Sequence, residues 1–302
     1  MTSENSVPEE VLYDVSDHIA TITLNAPGRM NTISGFMLDQ LSERLLQADR
    51  DRDVRCIVLT GAGKAFCAGL DMAAQMGASK GSLGGMDSGA GEGVPGELDL
   101  RFTPPTVLHN LDTPTICALN GGAAGYGLDV ALGCDIRVAS STAKLNPGFA
   151  KRGILPESGG TWLLPRIIGY AKAAEIAFTG RVLTAEQALE LGLVNHVVEP
   201  EHFSEAVREL AGEIAANAPL AVRAIKRMMR AAETETFEQA PDGSGVVLVL
   251  RADSTAWATS LRLLLPSIRA RIDTELGAGT VRDISILGPA APSWRHGKFS
   301  VP

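Results

Sequence analysis

The run Leu119–Asp129, LNGGAAGYGLD, is where residue types and spacing most plainly allow chemistry. It follows an apolar run of strand character, Thr115 to Leu119, and opens into a second apolar run that ends at Leu132. That order reads as strand, tight turn and helix start. Glycine permits positive φ and lets backbone approach a ligand closely, while the first turn of a helix leaves N–H groups unpaired. The turn is therefore a candidate cradle for an anion or an oxyanion, with plain turn chemistry as the alternative.

The elements that must hold such a turn are legible on both sides of it. HIATITL (18–24) alternates, with Ala20, Ile22 and Leu24 on one face of a half-buried strand. NAPGRMN breaks it, and from Ser34 to Arg50 the residues Met37, Leu38, Leu41, Leu45 and Ala48 recur at helical spacing. VRCIVLTGAG (54–63) is a second strand, and KAFCAGLDM (64–72) a turn leading towards a helix. DIRVAS (135–140) closes another strand, helix, strand unit, an order that predicts parallel strands covered by helices. A third unit follows GGTWLLPRIIG, where Pro165 bends a short helix. TAEQALELG (184–192) carries a capping box, Thr184 with Gln187, and Gly192 as a stop, before a strand at LVNHVV. Beyond residue 200 the pattern is helical: Phe203, Ala206, Val207, Leu210 and Ile214 form one stripe, and Pro219 starts the next helix. Residues 1–10 are read as disordered, 11–200 as an α/β core and 201–302 as a helical region with an irregular tail from 288. The glycine- and serine-rich insert over 77–96 is a mobile loop, an active-site flap or a segment without function.

Composition narrows the partners. With 302 residues, 45% of them hydrophobic, the chain can bury a full core. A net charge of −8 argues against nucleic acid and against an anionic membrane surface, and no apolar run approaches a membrane span. Cys56, Cys67, Cys117 and Cys134 lack metal-ligand or redox spacing and read as reduced structural thiols, which fits the cytoplasm, as does an acidic N-terminus unlike a targeting peptide. Cys67 lacks an activating base and reads as a small core residue. His109 and His196 have no acid partner in sequence and no metal pattern, and no metal is expected.

Three pieces recur in order: GAGKAFCAGLDM, NGGAAGYGLDVALGCDIRVAS and LPESGGTWLLPRIIG. With NAPGRMNTIS, LTAEQALELGLVNHVV and NAPLAVRAIKRMM, they resemble the crotonase family, the enoyl-CoA hydratase and isomerase superfamily, over roughly residues 12 to 230. The resemblance implies an α/β crotonase-like ββα spiral core with a C-terminal helical region. It implies an acyl-CoA substrate whose thioester oxygen is held by two backbone amides, here those of Leu70 and Tyr126. Preorganised donors of this kind are worth about 3 to 4 kcal/mol each towards an enolate. The resemblance also places Arg29, and as a second candidate Lys64, at the CoA phosphates, with solvated surface charges as the alternative. Ala68 and Met72 stand where carbonyls would hold the adenine. Coenzyme A is part of the substrate, so no separate cofactor is implied, and relatives assemble as trimers, often paired into hexamers. An apolar stripe of Leu261, Leu264, Leu265 and Ile268 would serve such contacts or intrachain packing equally.

Hydratases of the family use two glutamates, because water must be positioned and deprotonated while carbon receives a proton. The first position is here Asp129 and the second falls at Phe149, which has no acid–base chemistry; no acid lies between Ser140 and Pro156. Glu157 matches the position of an acidic residue in isomerases of the family. Isomerisation is therefore favoured, with Glu157 as base, Asp129 as its partner and Phe149 lining the acyl pocket. The competing readings are an exposed loop acid for Glu157 and a first-turn helix acid for Asp129. Asp135 is read as structural. The alternative activities are hydration, or thioester hydrolysis or decarboxylation on the same scaffold. A non-enzymatic RNA-binding relative is disfavoured by the acidic balance.

Overall fold

The first strand pair shows how local chemistry sets the frame. Val11–Ser16 (β1) and Ile19–Leu24 (β2) pair antiparallel, Val11 opposite Leu24. Between them Asp17 and His18 both take positive φ, 51 and 65. That is the requirement of a two-residue hairpin turn whose twist matches its strands. In the computed structural model, residues 9–71, 103–156, 158–232, 246–251, 265–274 and 281–287 are described. Glu10 does not belong to a loose terminus: its carbonyl accepts from Asn25 N at 2.7 Å and its carboxylate pairs with Arg29 at 2.8 Å. β1 escaped the sequence reading because most of its side chains face solvent, which erases the alternation.

Gly35–Arg50 (α1) forms where its apolar spacing predicts, capped by Ser34, whose hydroxyl accepts from Met37 N. Its buried face holds Met37, Leu41 and Leu45. The following elements are Cys56–Gly61 (β3), Ala65–Cys67 (β4), Pro104–Asn110 (α2), Thr115–Leu119 (β5), Gly122–Ala124 (β6), Tyr126–Gly133 (α3), Ile136–Ser140 (β7) and Lys144–Asn146 (β8). Then come Phe149–Arg152 (α4), Gly160–Ile168 (α5), Tyr170–Thr179 (α6), Leu183–Thr184 (β9), Ala185–Glu190 (α7), His196–Val198 (β10), Phe203–Ala215 (α8) and Pro219–Ala231 (α9). Within segment 64–72, Ala65–Cys67 forms a short strand, since β4 pairs with β6; Met72 and the helix expected beyond the turn lie outside the described residues. The capping box at α7 is complete, Thr184 and Gln187 each serving the other's backbone.

Two sheets carry the core. One has the order β1-β2-β3-β5-β7-β10 and is parallel apart from the first hairpin; the other has the order β4-β6-β8-β9. Side chains of the larger sheet alternate between two apolar clusters, as the period of a strand demands. Ile57, Leu59, Cys117 and Leu119 join α1 and α3 on one side. Cys56, Val58, Ile116 and Ala118 meet Phe203, Val207 and Ala211 of α8 on the other. A sequence boundary near residue 200 thus separates what packing joins, because α8 covers the second face of the sheet.

The chain divides instead into compact units of Met1–Lys226 and Arg227–Pro302. Within the second, Val246–Arg251 (β11) and Val281–Leu287 (β12) form a parallel pair, and a helix runs over 265–274. The expectation of a helical region with an irregular tail includes no strand pair, and β11 with β12 corrects it there. VVLVLR carried the β-branched signal, but a short apolar run does not by itself distinguish strand from buried helix. Leu261 and Leu264 of the expected stripe, the 77–96 insert and the tail from 288 lie outside the described residues. Among the described residues no helix is long and apolar enough to cross a membrane. The fold is the α/β spiral core with parallel sheets and covering helices that the motifs imply.

Candidate active site

Two glycine turns meet because neither carries side chains at the contact. A Cβ on Gly121 would overlap the Lys64 carbonyl. Gly69 has φ +110, and a Cβ there would stand 3.0 Å from Ala124 O and 3.8 Å from the Tyr126 amide nitrogen. Only glycine supplies both that conformation and that space. The pairing of β4 with β6 and of β6 with β8, together with Gly125 N donating to Asn146 O at 2.9 Å, fixes the second turn against the first.

The local hydrogen bonds decide where the two amides point. Ile33 N donates to Gly69 O at 2.8 Å and Asp71 N donates to Ile33 O at 2.9 Å, so Ile33 brackets Leu70 in a parallel bridge. The bracketed residue turns its own N–H to the opposite side. Tyr126 is the first residue of α3, where the helix provides no acceptor. Neither amide has a partner among the described residues. Two unpaired N–H groups on turns in contact could serve an oxyanion.

Asn31 holds this arrangement and was missed by sequence reasoning. It is fully buried with φ 53, and its Nδ2 donates to Ala62 O at 2.9 Å, Ala65 O at 2.8 Å and Phe66 O at 3.2 Å, while Oδ1 accepts from Ala26 N at 2.9 Å. Its neighbour Met30 accepts from Ala68 N at 3.0 Å. The signal available in sequence was a polar residue in a turn that tolerates left-handed backbone, which asparagine does better than most.

Asp129, in the first turn of α3, is 2% exposed, and its Oδ2 has no hydrogen-bond partner. Gly160, the first residue of α5, packs directly on the carboxylate, so that a Cβ there would overlap Oδ1. Burial pushes the Asp129 carboxyl up to about 7. The helix start acts in the opposite sense, but is worth only about 0.3–1 kcal/mol, less than one pH unit, so burial prevails. Phe149 is half-buried in α4, and a Cβ on Gly125 would lie 3.9 Å from its ring. The phenyl group therefore borders the Tyr126 turn. Glu157 and Met72 lie outside the described residues; Ser158, next to Glu157, is buried, and the chain reaches Asp129 at Gly160.

Arg29 ends a short 3-10 turn and is already engaged: it pairs with Glu10 at 2.8 Å, reaches Asp71 Oδ2 at 3.7 Å, and its Nε donates to Thr32 O at 3.1 Å. Any phosphate would share it with two carboxylates. Lys64 is exposed and Ala68 half-buried. Cys67 is fully buried, its thiol pushed up to about 12 by burial, which makes it an inert core residue. Asp135 is structural as read, accepting from Thr115 N at 2.7 Å and pairing with Lys226 at 2.7 Å. A separate cavity of about 240 Å³ lies under α8, lined by Thr60, Phe203 and Arg208, on the face of the sheet away from α3.

The crotonase-like fold, with two glycine turns in contact and a buried acid beside them, defines the class of protein. The profile of the enoyl-CoA hydratase/isomerase family matches residues 14–249, and the chain belongs to that family. Among its relatives, 1,2-epoxyphenylacetyl-CoA isomerase of Escherichia coli is 40% identical over 76% of this chain and 85% of its own length. The (E)-benzylidenesuccinyl-CoA hydratase of Thauera aromatica is 38% identical over 72% of this chain and 80% of its own. The crystal structure of enoyl-CoA hydratase from Bacillus anthracis superposes with a TM-score of 0.66 at 31% identity, covering 76% of this chain and 86% of that one. An acyl-CoA thioester substrate is consistent with the family.

Proposed function

We propose that the protein moves a carbon–carbon double bond within an enoyl-CoA thioester. Glu157 takes a proton from the α-carbon, the Leu70 and Tyr126 amides hold the enolate oxygen, and a proton is returned at the γ-carbon, with Asp129 as the second acid. The C–H bond broken at one carbon is replaced by one formed at another, so neither water nor an electron carrier is consumed, and coenzyme A enters only as part of the substrate. Arg29 and Lys64 meet its phosphates, and the carbonyls of Ala68 and Met72 its adenine. The reading includes a cytoplasmic homotrimer or hexamer.

The observation that carries this reading is Phe149. Where a hydratase would present its second carboxylate, this chain presents a phenyl ring beside the oxyanion turn, and an apolar wall favours an acyl chain over an activated water. Hydration is the second reading, favoured by the buried Asp129 and by hydratases among the relatives. Two relatives act on acyl groups named for a phenyl or benzylidene unit, so aryl-bearing thioesters belong in the assay. The test follows 3-enoyl-CoA to 2-enoyl-CoA conversion beside hydration of crotonyl-CoA. Isomerisation well above hydration supports the proposal, and hydration as the faster reaction overturns it.

A further inference from the structure

Five side-chain polar atoms are buried without a hydrogen-bond partner among the described residues, and three of them belong to residues at the second glycine turn: Tyr126 and Asp129 in the helix it opens, and Asn146, whose carbonyl accepts from Gly125 N. Buried polar groups are nearly always satisfied, so such a cluster marks where a small polar guest belongs. Two of the three share a helix face. Tyr126 and Asp129 stand three residues apart on α3, a spacing that makes side chains neighbours. Both are within the core, at 6% and 2% exposure. The carboxylate acts on the phenol: burial first, then the Asp129 charge and then Cys67, drive the Tyr126 hydroxyl far above its ordinary range.

We infer that one water molecule bridges Tyr126 Oη and Asp129 Oδ2, and that Tyr126 is thereby a positioning residue for Asp129. A phenol is a donor and acceptor, a carboxylate accepts, and a water between them satisfies both. A direct bond is not made, since each atom stands without a partner. The elements packed on α3 bring few competitors. β4 contributes Cys67, α5 turns the Gly160 backbone towards Asp129, and Arg166 of α5 stacks over Trp162 at 3.9 Å. His109 of α2 meets the same Trp162 ring edge-on.

The side chain of Tyr126 thus has a role separate from its amide, which any residue would retain. A water donating to the carboxylate stabilises its charged form, so the bridge opposes burial and keeps Asp129 ionisable near neutrality. The consequence for turnover rests on the reading of Asp129 as a proton-transfer group; the bridge itself does not.

The test is an infrared titration of the protonated carboxyl band, assigned by its loss in Asp129→Asn, in the parent and in Tyr126→Phe, beside pH profiles of kcat/KM. The expected result is an upward move of the Asp129 titration by about one pH unit in Tyr126→Phe. An unmoved titration overturns the inference whatever the activity. A moved titration with an unmoved pH profile keeps the bridge and removes Asp129 from the proposed chemistry. Should Tyr126→Phe fail to fold, a high-resolution crystal structure of the parent decides: density within hydrogen-bond distance of both oxygens supports the bridge, and none between them ends it.

Discussion

Gly160 stands directly against the carboxylate of Asp129, so closely that a Cβ would overlap Oδ1. The start of α5 is thereby the wall that desolvates the acid, and the chain two residues before it is Ser158, next to Glu157. Gly160→Ala should move the carboxylate or the helix. Overpacking of this kind costs about 1–3 kcal/mol. Thermal unfolding should show that loss, and kcat should fall more than KM rises, because the acid rather than the CoA site is displaced. A variant with parental Tm and kcat would show that the contact carries no weight.

Asp129 should make stability depend on pH. Its folded value is about 7 against an ordinary 3.8, so between those values the unfolded chain releases a proton that the native chain keeps. Stability then falls as pH rises through that window, and above pH 7 the native protein bears a buried charge whose cost is on the order of 4 kcal/mol. Asp129→Asn removes this cost. Tm measured from pH 4 to pH 8 should fall less steeply in the variant than in the parent, the curves separating at the alkaline end; parallel curves would refute the assignment.

Asn31→Ala deletes one acceptor and one multiply used donor from a fully buried site. Leaving the Ala62, Ala65 and Phe66 carbonyls short of a donor is expected to cost about 2–4 kcal/mol, read by urea denaturation. Because the same loop seats Ala68 and Gly69, kcat of the folded variant should drop as the Leu70 amide loses its aim. Unchanged kcat with reduced stability would restrict Asn31 to a structural part.

Glu157→Gln tests the preferred base. Loss of a general base lowers turnover by about 10²–10⁴-fold. Acyl-CoA affinity, measured by calorimetry, should stay near the parental value, since the amide replaces only the proton acceptor. Turnover at the parental rate would leave Asp129 as the acting group.

Much of the fold was legible in the chain, because each strand and helix of the core writes its burial into a local period. Ala20, Ile22 and Leu24 at spacing two, and Met37, Leu41 and Leu45 at helical spacing, are buried as their patterns require. The capping box at Thr184 and the glycine turns are likewise local, set by backbone sterics and nearby donors. By contrast β1 left no period to read, because its side chains face water, and the β-branched run of β11 is ambiguous with a buried helix.

What the sequence by itself determined is which backbone turns and which acids are available: Leu70, Tyr126, Asp129, Phe149 and Glu157, in motifs that identify the family. Only the tertiary structure decided how these groups stand to one another. Burial of Asp129 under Gly160, the outward turn of the Leu70 amide beside Ile33, the bonds from Asn31 to the Ala62, Ala65 and Phe66 carbonyls and the capture of Arg29 by Glu10 all join residues distant in the chain. Desolvation and donor direction are properties of what lies around an atom in space, and no local period records them.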